Sequence, residues 1–254
     1  PSLSMWQMMM DTATYRGPLI TANADDKHSI KIMDGAYGHN DALLRRDITS
    51  PTPTTTLNIA IADGLYGGRP TYDSIMARIY AAKLGAKQYR YSCLNFCLLA
   101  DAVQRISHTP LNIFDSSKIF GPLGAYRTLY RPLTRFDRQR IATTEVDTYL
   151  RRQHIHGYVH DELAAFSGGV QGNAGLFSCA ADLAKLLQMW LNGGTYGGIR
   201  FLQPATVETF TTQHSPNSHR GLGFDKPVPG NPAASNTCPE APNEVYGHTG
   251  FTGT

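Results

Sequence analysis

Two short segments of the chain contain side chains that could move protons during catalysis. Tyr91 begins the sequence YSC, directly before a helical pattern, and His248 begins the sequence HTG near the end of the chain. A phenol or an imidazole can act as a general base, and a hydroxyl can bind a substrate. The chain has 13 tyrosines and 9 histidines, so each segment alone is weak evidence.

Composition limits the classes of partner. Hydrophobic residues make up 41% of the 254 residues and charged residues 17%, which predicts a packed core. The net charge of +3 is too small to indicate nucleic acid or an anionic membrane as a partner. No stretch approaches the roughly 18 apolar residues of a membrane span. We therefore expect a small-molecule or peptide substrate, no nucleic acid and no membrane span.

The cysteines and histidines do not form a familiar metal or redox motif. None of the four cysteines belongs to a C-x-x-C pair, and Cys93 and Cys97 are spaced as packing groups on one helix. His156 and His160 would share a helical face, but Gly157 and Val159 disfavour a helix there and H-E-x-x-H is missing. We predict no metal site.

The glycine-rich segment GGVQGNAG, residues 168–175, lacks the Walker spacing and its Lys-Ser/Thr ending. It therefore predicts a tight backbone passage rather than a nucleotide site, and we expect no cofactor. In the same region we expect Asp161 of VHDE to bond backbone or a neighbouring side chain.

The elements that must position these residues follow from apolar periodicity. Helices are predicted over 71–83, over 92–106 with Ser92 as N-cap, over 111–120, and from Pro204 onward. A helix over 178–194 is expected to begin at Ser178 as N-cap and to bury one apolar stripe in the core. That stripe consists of Leu183, Leu186, Leu187, Trp190 and Leu191. Strands are predicted over 221–225 and 245–253, a short helix over 4–10 and an irregular excursion over 16–56.

Taken in order, with GNAGLFSCAADLAKLLQMWLNGG between them, the YSC and HTG segments make the chain resemble the serine β-lactamase-like hydrolases. This superfamily includes penicillin-binding proteins, class C β-lactamases and esterases. The resemblance covers roughly residues 57–254 and is strongest in YRYSCLNFCLLADAV, around VHDELAAFSGGVQGNAGLF and from RGLGFDKP to the end. It implies an α/β (α+β) fold, in which an antiparallel sheet is flanked by helices beside a helical lobe. We expect a single domain over 1–254, with the helical lobe roughly at 1–165 and the sheet-associated part roughly at 166–254.

The resemblance also implies a role for each residue of the two segments. Tyr91 would be the base that activates a serine nucleophile, and His248 would supply hydrogen bonding and, if protonated, positive charge. Thr249 would offer its hydroxyl to the substrate, and Gly250 would leave room for the acyl group. The N–H of Phe251 would be an oxyanion donor, and such a donor is worth about 10²–10³ in rate.

Two departures from the family pattern limit what the chain can do alone. No serine is followed three positions later by lysine, so the family's S-x-x-K nucleophile segment is absent from these 254 residues and expected upstream of Pro1. We also expect the domain to be truncated at both ends. Cys93 occupies a substrate-binding position where the family has Asn or Asp, and a thiol cannot reproduce their hydrogen bonds. This affects β-lactam turnover more than ester hydrolysis.

Two functions remain open on these grounds. The first is hydrolysis of an ester, amide or peptide bond through an acyl-serine intermediate in the intact parent, with this chain alone inactive. The second is a non-catalytic module of the same fold that binds cell-wall peptide or a partner domain. By resemblance we expect a bacterial periplasmic or secreted location and a fused or associated domain upstream.

Overall fold

The computed structural model describes residues 50–82, 92–147, 151–231 and 234–250. The helix predicted over 4–10 and most of the excursion predicted over 16–56 lie outside these ranges. Within them, residues 51–56 form bends and irregular backbone, as predicted, and Ser50 bridges Tyr66.

A hairpin that the periodicity analysis missed opens the described chain. Strand β1 (Ile59–Ala62) pairs antiparallel with β2 (Leu65–Gly67). The turn between them is Asp-Gly, the dipeptide that two-residue hairpins favour, and Gly64 has a φ of +62°. The sequence IAIADGLYG therefore contained a hairpin signal.

The helices predicted within the described ranges are present with shifted ends. They are α1 (Arg69–Ala81), α2 (Leu94–Ser107), α3 (Leu111–Asp115), which continues as a π-helix over Ser116–Phe120, α5 (Ala180–Leu191) and α6 (Pro204–Thr211). A further helix, α4 (Glu162–Phe166), has Asp161 as its N-cap, and the Asp161 carboxylate accepts a bond from Ala164 N–H at 2.7 Å. The backbone bond expected for Asp161 is thus confirmed.

The orientation predicted for α5 is wrong in two respects. Its N-cap is Cys179, while the Ser178 hydroxyl instead bonds the Thr128 hydroxyl at 2.7 Å. Its predicted core stripe is largely exposed, since Leu183, Leu187 and Leu191 are 40%, 58% and 70% accessible. The helix instead buries the face that contains Asp182, Leu186 and Met189.

A buried acceptor explains the orientation of α5. The Asp182 carboxylate accepts a bond from Arg127 N–H at 2.7 Å and pairs with Lys185 at 3.1 Å. A buried carboxylate is costly unless it is hydrogen-bonded. Because these partners bond Asp182, the helix buries the Asp182 face instead of the face that carries Leu183, Leu187 and Leu191.

The strands form short antiparallel pairs in the described chain. Besides β1–β2, they are β3 (Leu129–Tyr130) with β6 (Leu176–Phe177), β4 (Thr143–Asp147) with β5 (Gln153–His156), and β7 (Thr195–Tyr196) with β8 (Ile199–Arg200). This mixture of helices and small antiparallel sheets confirms the predicted α/β (α+β) class. The two strands predicted over 221–225 and 245–253 are reduced to one bridge between Asp225 and Gly247, and residues 251–253 lie outside the described ranges. Glycine weakens strands, which limits their regular pairing here.

The main apolar core joins the first hairpin to three helices. Its buried members include Ile61 of β1, Ile75 of α1, Cys97 of α2 and Phe166 of α4, together with Ile155 of β5. A second cluster gathers around Phe120, Leu123 and Met189. The division into a helical lobe and a sheet-associated part stays a prediction.

One buried cation holds the β4–β5 hairpin to the following loop. The Arg151 side chain is 1% exposed, and its Nε donates to the Asp147 carboxylate at 2.7 Å. Its Nη1 donates to the Val159 carbonyl at 2.6 Å, and its Nη2 donates to the His160 carbonyl. A single guanidinium therefore satisfies a buried carboxylate and two loop carbonyls.

In the part of the chain that the structure describes, no helix combines the length and the apolar character needed to cross a bilayer.

Candidate active site

The segment containing His248 is joined to residues 221–225 by a single antiparallel bridge. Asp225 N–H donates to the Gly247 carbonyl at 2.6 Å, and Gly247 N–H donates to the Asp225 carbonyl at 3.0 Å. His248 is therefore the first residue after a position fixed by two backbone hydrogen bonds.

An aromatic stack anchors both halves of this bridge to α5. The Phe224 ring meets the Tyr246 ring edge to face, with 5.1 Å between centroids, and the Trp190 ring in the same manner at 4.8 Å. Such pairs contribute about 0.5–1.5 kcal/mol beyond their burial. Trp190, one of the predicted stripe residues, thus packs against the segments that carry the candidate site.

The carboxylate of Asp225 is the centre of a polar cluster. It is buried, and its Oδ1 accepts from His219 Nε2 at 2.7 Å and from Lys226 N–H at 3.0 Å. Its Oδ2 accepts from Asn236 Nδ2 at 2.5 Å and lies 3.2 Å from Arg220 Nη2. Burial by itself raises the pKa of Asp225, but the bonds from Asn236 and His219 and the Arg220 charge hold that pKa below its usual range.

Arg220 connects this cluster to the candidate catalytic segment. Its Nη1 lies 3.1 Å from His248 Nε2, and His248 Nδ1 lies 2.7 Å from the Thr249 carbonyl. A guanidinium can only donate, so Nε2 is the acceptor, and the carbonyl can only accept, so Nδ1 carries the proton. The contacts assign His248 as the neutral Nδ1–H tautomer and give the positive charge beside it to Arg220.

The first turn of α2 follows directly on the YSC segment. The N-cap is Cys93 rather than the predicted Ser92, although the Ser92 hydroxyl accepts from Leu94 N–H at 3.2 Å. The half-buried Cys93 offers its carbonyl to the N–H groups of Phe96 and Cys97. This turn is therefore well ordered by backbone bonding.

Two glycine-bearing segments pack on that same turn. In the loop over 168–175, the Asn173 amide oxygen accepts from the Cys97 thiol at 3.5 Å, and a Cβ placed on Gly172 would meet the Phe96 carbonyl oxygen at 2.1 Å. A Cβ on Gly223 would lie 3.6 Å from the Phe96 ring. Gly172 is therefore required by close approach, and the tight backbone passage predicted for 168–175 is confirmed.

A family model described as Beta-lactamase matches residues 45–254. The chain belongs to the beta-lactamase family. This confirms the resemblance drawn from the two ordered segments, and it assigns the chain to a family of serine hydrolases.

Two bacterial relatives of the family illustrate the extent of the match. A protein of Escherichia coli (strain K12), provisionally named D-alanyl-D-alanine carboxypeptidase, is 37% identical over 243 residues, covering 90% of this chain and 54% of that protein. A protein of the same name from Salmonella schwarzengrund (strain CVM19633) is 38% identical over 177 residues, covering 65% of this chain and 40% of that protein. The chain thus spans about half the length of the curated relatives it matches, or less.

Two solved structures show partial similarity to this chain. The penicillin-binding protein homologue from Pyrococcus abyssi has a TM-score of 0.45 and 18% identity, covering 62% of this chain and 36% of the other. The D-amino acid amidase from Ochrobactrum anthropi SV3 has a TM-score of 0.43 and 16% identity, covering 60% and 46%.

The sequence-predicted site residues of this family member fall into two groups. Tyr91 and Phe251 lie outside the described residues. Among the others, His248, Thr249 and Gly250 are exposed at the end of the bridged segment, and Cys93 is the N-cap of α2. The segments that carry Cys93 and His248 approach each other where Gly223, two residues before the Asp225 bridge, lies beside the Phe96 ring.

The residues that support His248 were not among the predicted site residues. Arg220 and Asp225 both lie in the HRGLGFD segment, in which the sequence predicts a strand over 221–225 and, from RGLGFDKP onward, the family resemblance, but no site residue. Charges of opposite sign at both ends of an apolar run were the available signal. This signal is weak, because the contact between Arg220 and His248 depends on how the loop between these two residues folds.

The two histidines weighed as metal ligands have other partners. His156 lies in strand β5 and its Nε2 bonds the Ile141 carbonyl at 2.7 Å, while His160 Nδ1 lies 3.0 Å from a Glu145 carboxylate oxygen. Within the described ranges, no cluster of three or more His, Cys, Asp or Glu side chains is arranged to hold a metal ion.

Glu162, at the start of α4, makes stability depend on pH in a way that can be measured. Burial, and less strongly the charge of Asp161, raise the pKa of Glu162 from 4.5 to about 7. Because the folded state holds this proton more tightly, its contribution is fully present below pH 4.5 and is lost as pH rises through about 7. Glu162→Gln is expected to increase the free energy of unfolding at pH 8 by up to about 3 kcal/mol.

Urea titrations at pH 5 and pH 8 would measure that gain, with the exposed acid Glu208 changed to Gln as the matched control. An equal effect of both substitutions at pH 8 would contradict the prediction.

Proposed function

We propose that the intact parent of this chain hydrolyses an amide or peptide bond through an acyl-serine intermediate, with Tyr91 as the base. Support comes first from family membership and from two relatives whose names refer to D-alanyl-D-alanine carboxypeptidase. A peptide with a free carboxylate at its end is the substrate class that those names suggest.

The observation that carries the proposal is the Asp225–Arg220–His248 array. An unperturbed phenol has a pKa near ~10 and needs positive charge nearby to act as a base at neutral pH. Arg220 provides a permanent charge 3.1 Å from His248 Nε2, and the buried Asp225 holds it there. A fixed guanidinium next to the HTG segment also suits a carboxylate-bearing substrate.

The other residues take the roles that the family resemblance implies. Thr249 contributes a hydroxyl to the substrate, Gly250 leaves room beside the backbone, and the Phe251 N–H donates to the oxyanion. Cys93 lies where the family binds substrate with an amide or carboxylate side chain. The proposal requires a serine and its lysine from sequence outside Pro1–Thr254, because no S-x-x-K occurs within it.

A covalent serine probe tests this proposal. The complete gene product is expected to react with a fluorophosphonate, and the 254-residue chain alone is expected not to. Tyr91→Phe should slow labelling of the complete product about 10²-fold, the lower end of what a general base contributes. The exposed Tyr126, changed to Phe, is the control and should leave labelling unchanged. Equal labelling rates for the two variants would remove Tyr91 from the mechanism.

The second candidate is a non-catalytic module that binds cell-wall peptide or a partner domain. The absence of S-x-x-K from the chain and the thiol at Cys93 favour it. A complete gene product that binds peptide but fails to react with the probe would establish this alternative. We further propose a periplasmic or secreted location and a fused or associated domain, both on the family resemblance.

A further inference from the structure

A pocket of about 290 Å³ lies apart from the HTG segment. Its walls come from β1, from the segment after β3, from the loop after β5 and from the two ends of the 168–175 loop. No residue between 219 and 250 is among the described residues that line it. Its volume lies just below the range of roughly 300–1,000 Å³ that ligand sites span.

The lining of this pocket is mostly apolar with a single charge. Ile59, Ile61, Leu133, Val159 and Phe177 provide aliphatic and aromatic surface. Arg131 is the only charged side chain among the described residues in the lining. Small-molecule sites share this combination of apolar walls and few polar groups.

Within the described ranges, one hydrogen bond and two closely packed glycines hold the Arg131 side chain in place. Its Nε donates to the Gly168 carbonyl at 2.6 Å. A Cβ on Gly168 would lie 3.4 Å from Arg131 Nη2, and one on Gly169 would lie 3.4 Å from Arg131 Cγ, so both glycines pack closely over the side chain. The four Nη hydrogens have no hydrogen-bond acceptor among the described residues. A fixed pair of parallel donors suits a carboxylate.

The environment of Arg131 favours an anion. Burial lowers the pKa of Arg131, and no nearby charge in the described chain offsets that effect. Its backbone also adopts the left-handed region, with a φ of +52°, which is costly for a residue with a side chain. A half-buried cation that has no anionic partner among the described residues would gain from a bound counter-ion.

We infer that this pocket binds a small carboxylate with a compact apolar body, the carboxylate on the Nη1 and Nη2 groups of Arg131 and the apolar body against Ile59, Val159 and Phe177. The inference does not depend on the proposed hydrolase function, because it uses none of the residues assigned to that function.

Binding of 3-phenylpropanoate to the purified chain tests the inference, with 3-phenylpropanamide as the neutral isostere. The acid is expected to bind about ten-fold more tightly than the amide in calorimetric titrations. Arg131→Met should reduce acid binding to the level of the amide, while Arg135→Met, an exposed arginine in the neighbouring segment, should leave it unchanged. Inorganic phosphate, which has no apolar body, should bind more weakly than the acid.

A second variant covers the case in which Arg131→Met does not fold. Asn58 is exposed at the rim of the pocket, and Asn58→Trp should obstruct it and weaken the acid and the amide together. Equal affinity of acid and amide, full acid binding by Arg131→Met, or no saturable binding of the acid to the unmodified chain would each overturn the inference.

Discussion

Arg151→Met is expected to reduce the free energy of unfolding by about 3–5 kcal/mol, because it removes one partner of a buried ion pair. The substitution keeps most of the volume of the side chain but leaves the Asp147 carboxylate, only 3% exposed, without its guanidinium. It also leaves the Val159 and His160 carbonyls without the donors they now share. Each of these buried acceptors then bears its own desolvation cost.

Urea denaturation followed by far-ultraviolet circular dichroism would measure this loss. Arg152→Met provides a matched control, because it makes the same change at the adjacent, exposed residue and should alter stability by no more than about 0.5 kcal/mol. A combined Arg151→Met, Asp147→Leu variant should recover part of the loss by removing the stranded charge. If Arg151→Met and Arg152→Met were equally stable, Arg151 would not be what holds the β4–β5 hairpin to the following loop.

Asp225→Asn is the second change with a large expected effect, because Asp225 orients Arg220. The amide keeps the shape of the side chain but removes the charge that pairs with Arg220 and turns one acceptor atom into a donor. We expect a loss of about 3 kcal/mol in stability, since a buried partner charge is left uncompensated. On the proposed hydrolase function, the rate of hydrolysis by the complete gene product is expected to fall about 10²-fold, a reduction typical of losing one oriented electrostatic contact.

A spectroscopic measurement separates this positioning effect from general destabilisation. Imidazole nitrogen shifts report which ring nitrogen carries the proton, and His248 is expected to be the Nδ1–H tautomer while Arg220 is held against Nε2. Asp225→Asn should release Arg220 and change the tautomer population of His248. Glu244→Gln makes the same chemical change at an exposed acid of the nearby loop and should leave the spectrum unchanged.

The pH dependence of Asp225 provides an independent check with a defined sign. Its folded pKa lies below its usual value, so the stabilisation is present above the unfolded value of about 3.9 and is lost as pH falls through the folded pKa. The native chain should therefore lose more stability than Asp225→Asn between pH 5 and the acid transition. Parallel acid-unfolding curves for the two proteins would contradict the pKa assignment.

Local patterns predicted the helices well and their orientations poorly. The run LNFCLLADAVQRIS gave α2 almost to its ends, and Pro204 marked the start of α6, since propensity and periodicity act over a few neighbouring residues. The apolar stripe of α5 suggested the wrong buried face. A periodic pattern reports how residues are grouped around a helix, whereas the direction of burial depends on distant partners, in this case Arg127 bonding Asp182.

The amino-acid sequence by itself determined the family of this protein and the order of its YSC, GNAG and HTG segments, because these are properties of neighbouring residue types. Only the tertiary structure decided which charge stands beside His248. Arg220 and His248 are 28 positions apart, and the aromatic stack on Trp190, together with the Asp225 bridge, brings them to 3.1 Å. A contact across such a separation depends on how the intervening loop packs, and no local pattern of residues encodes that path.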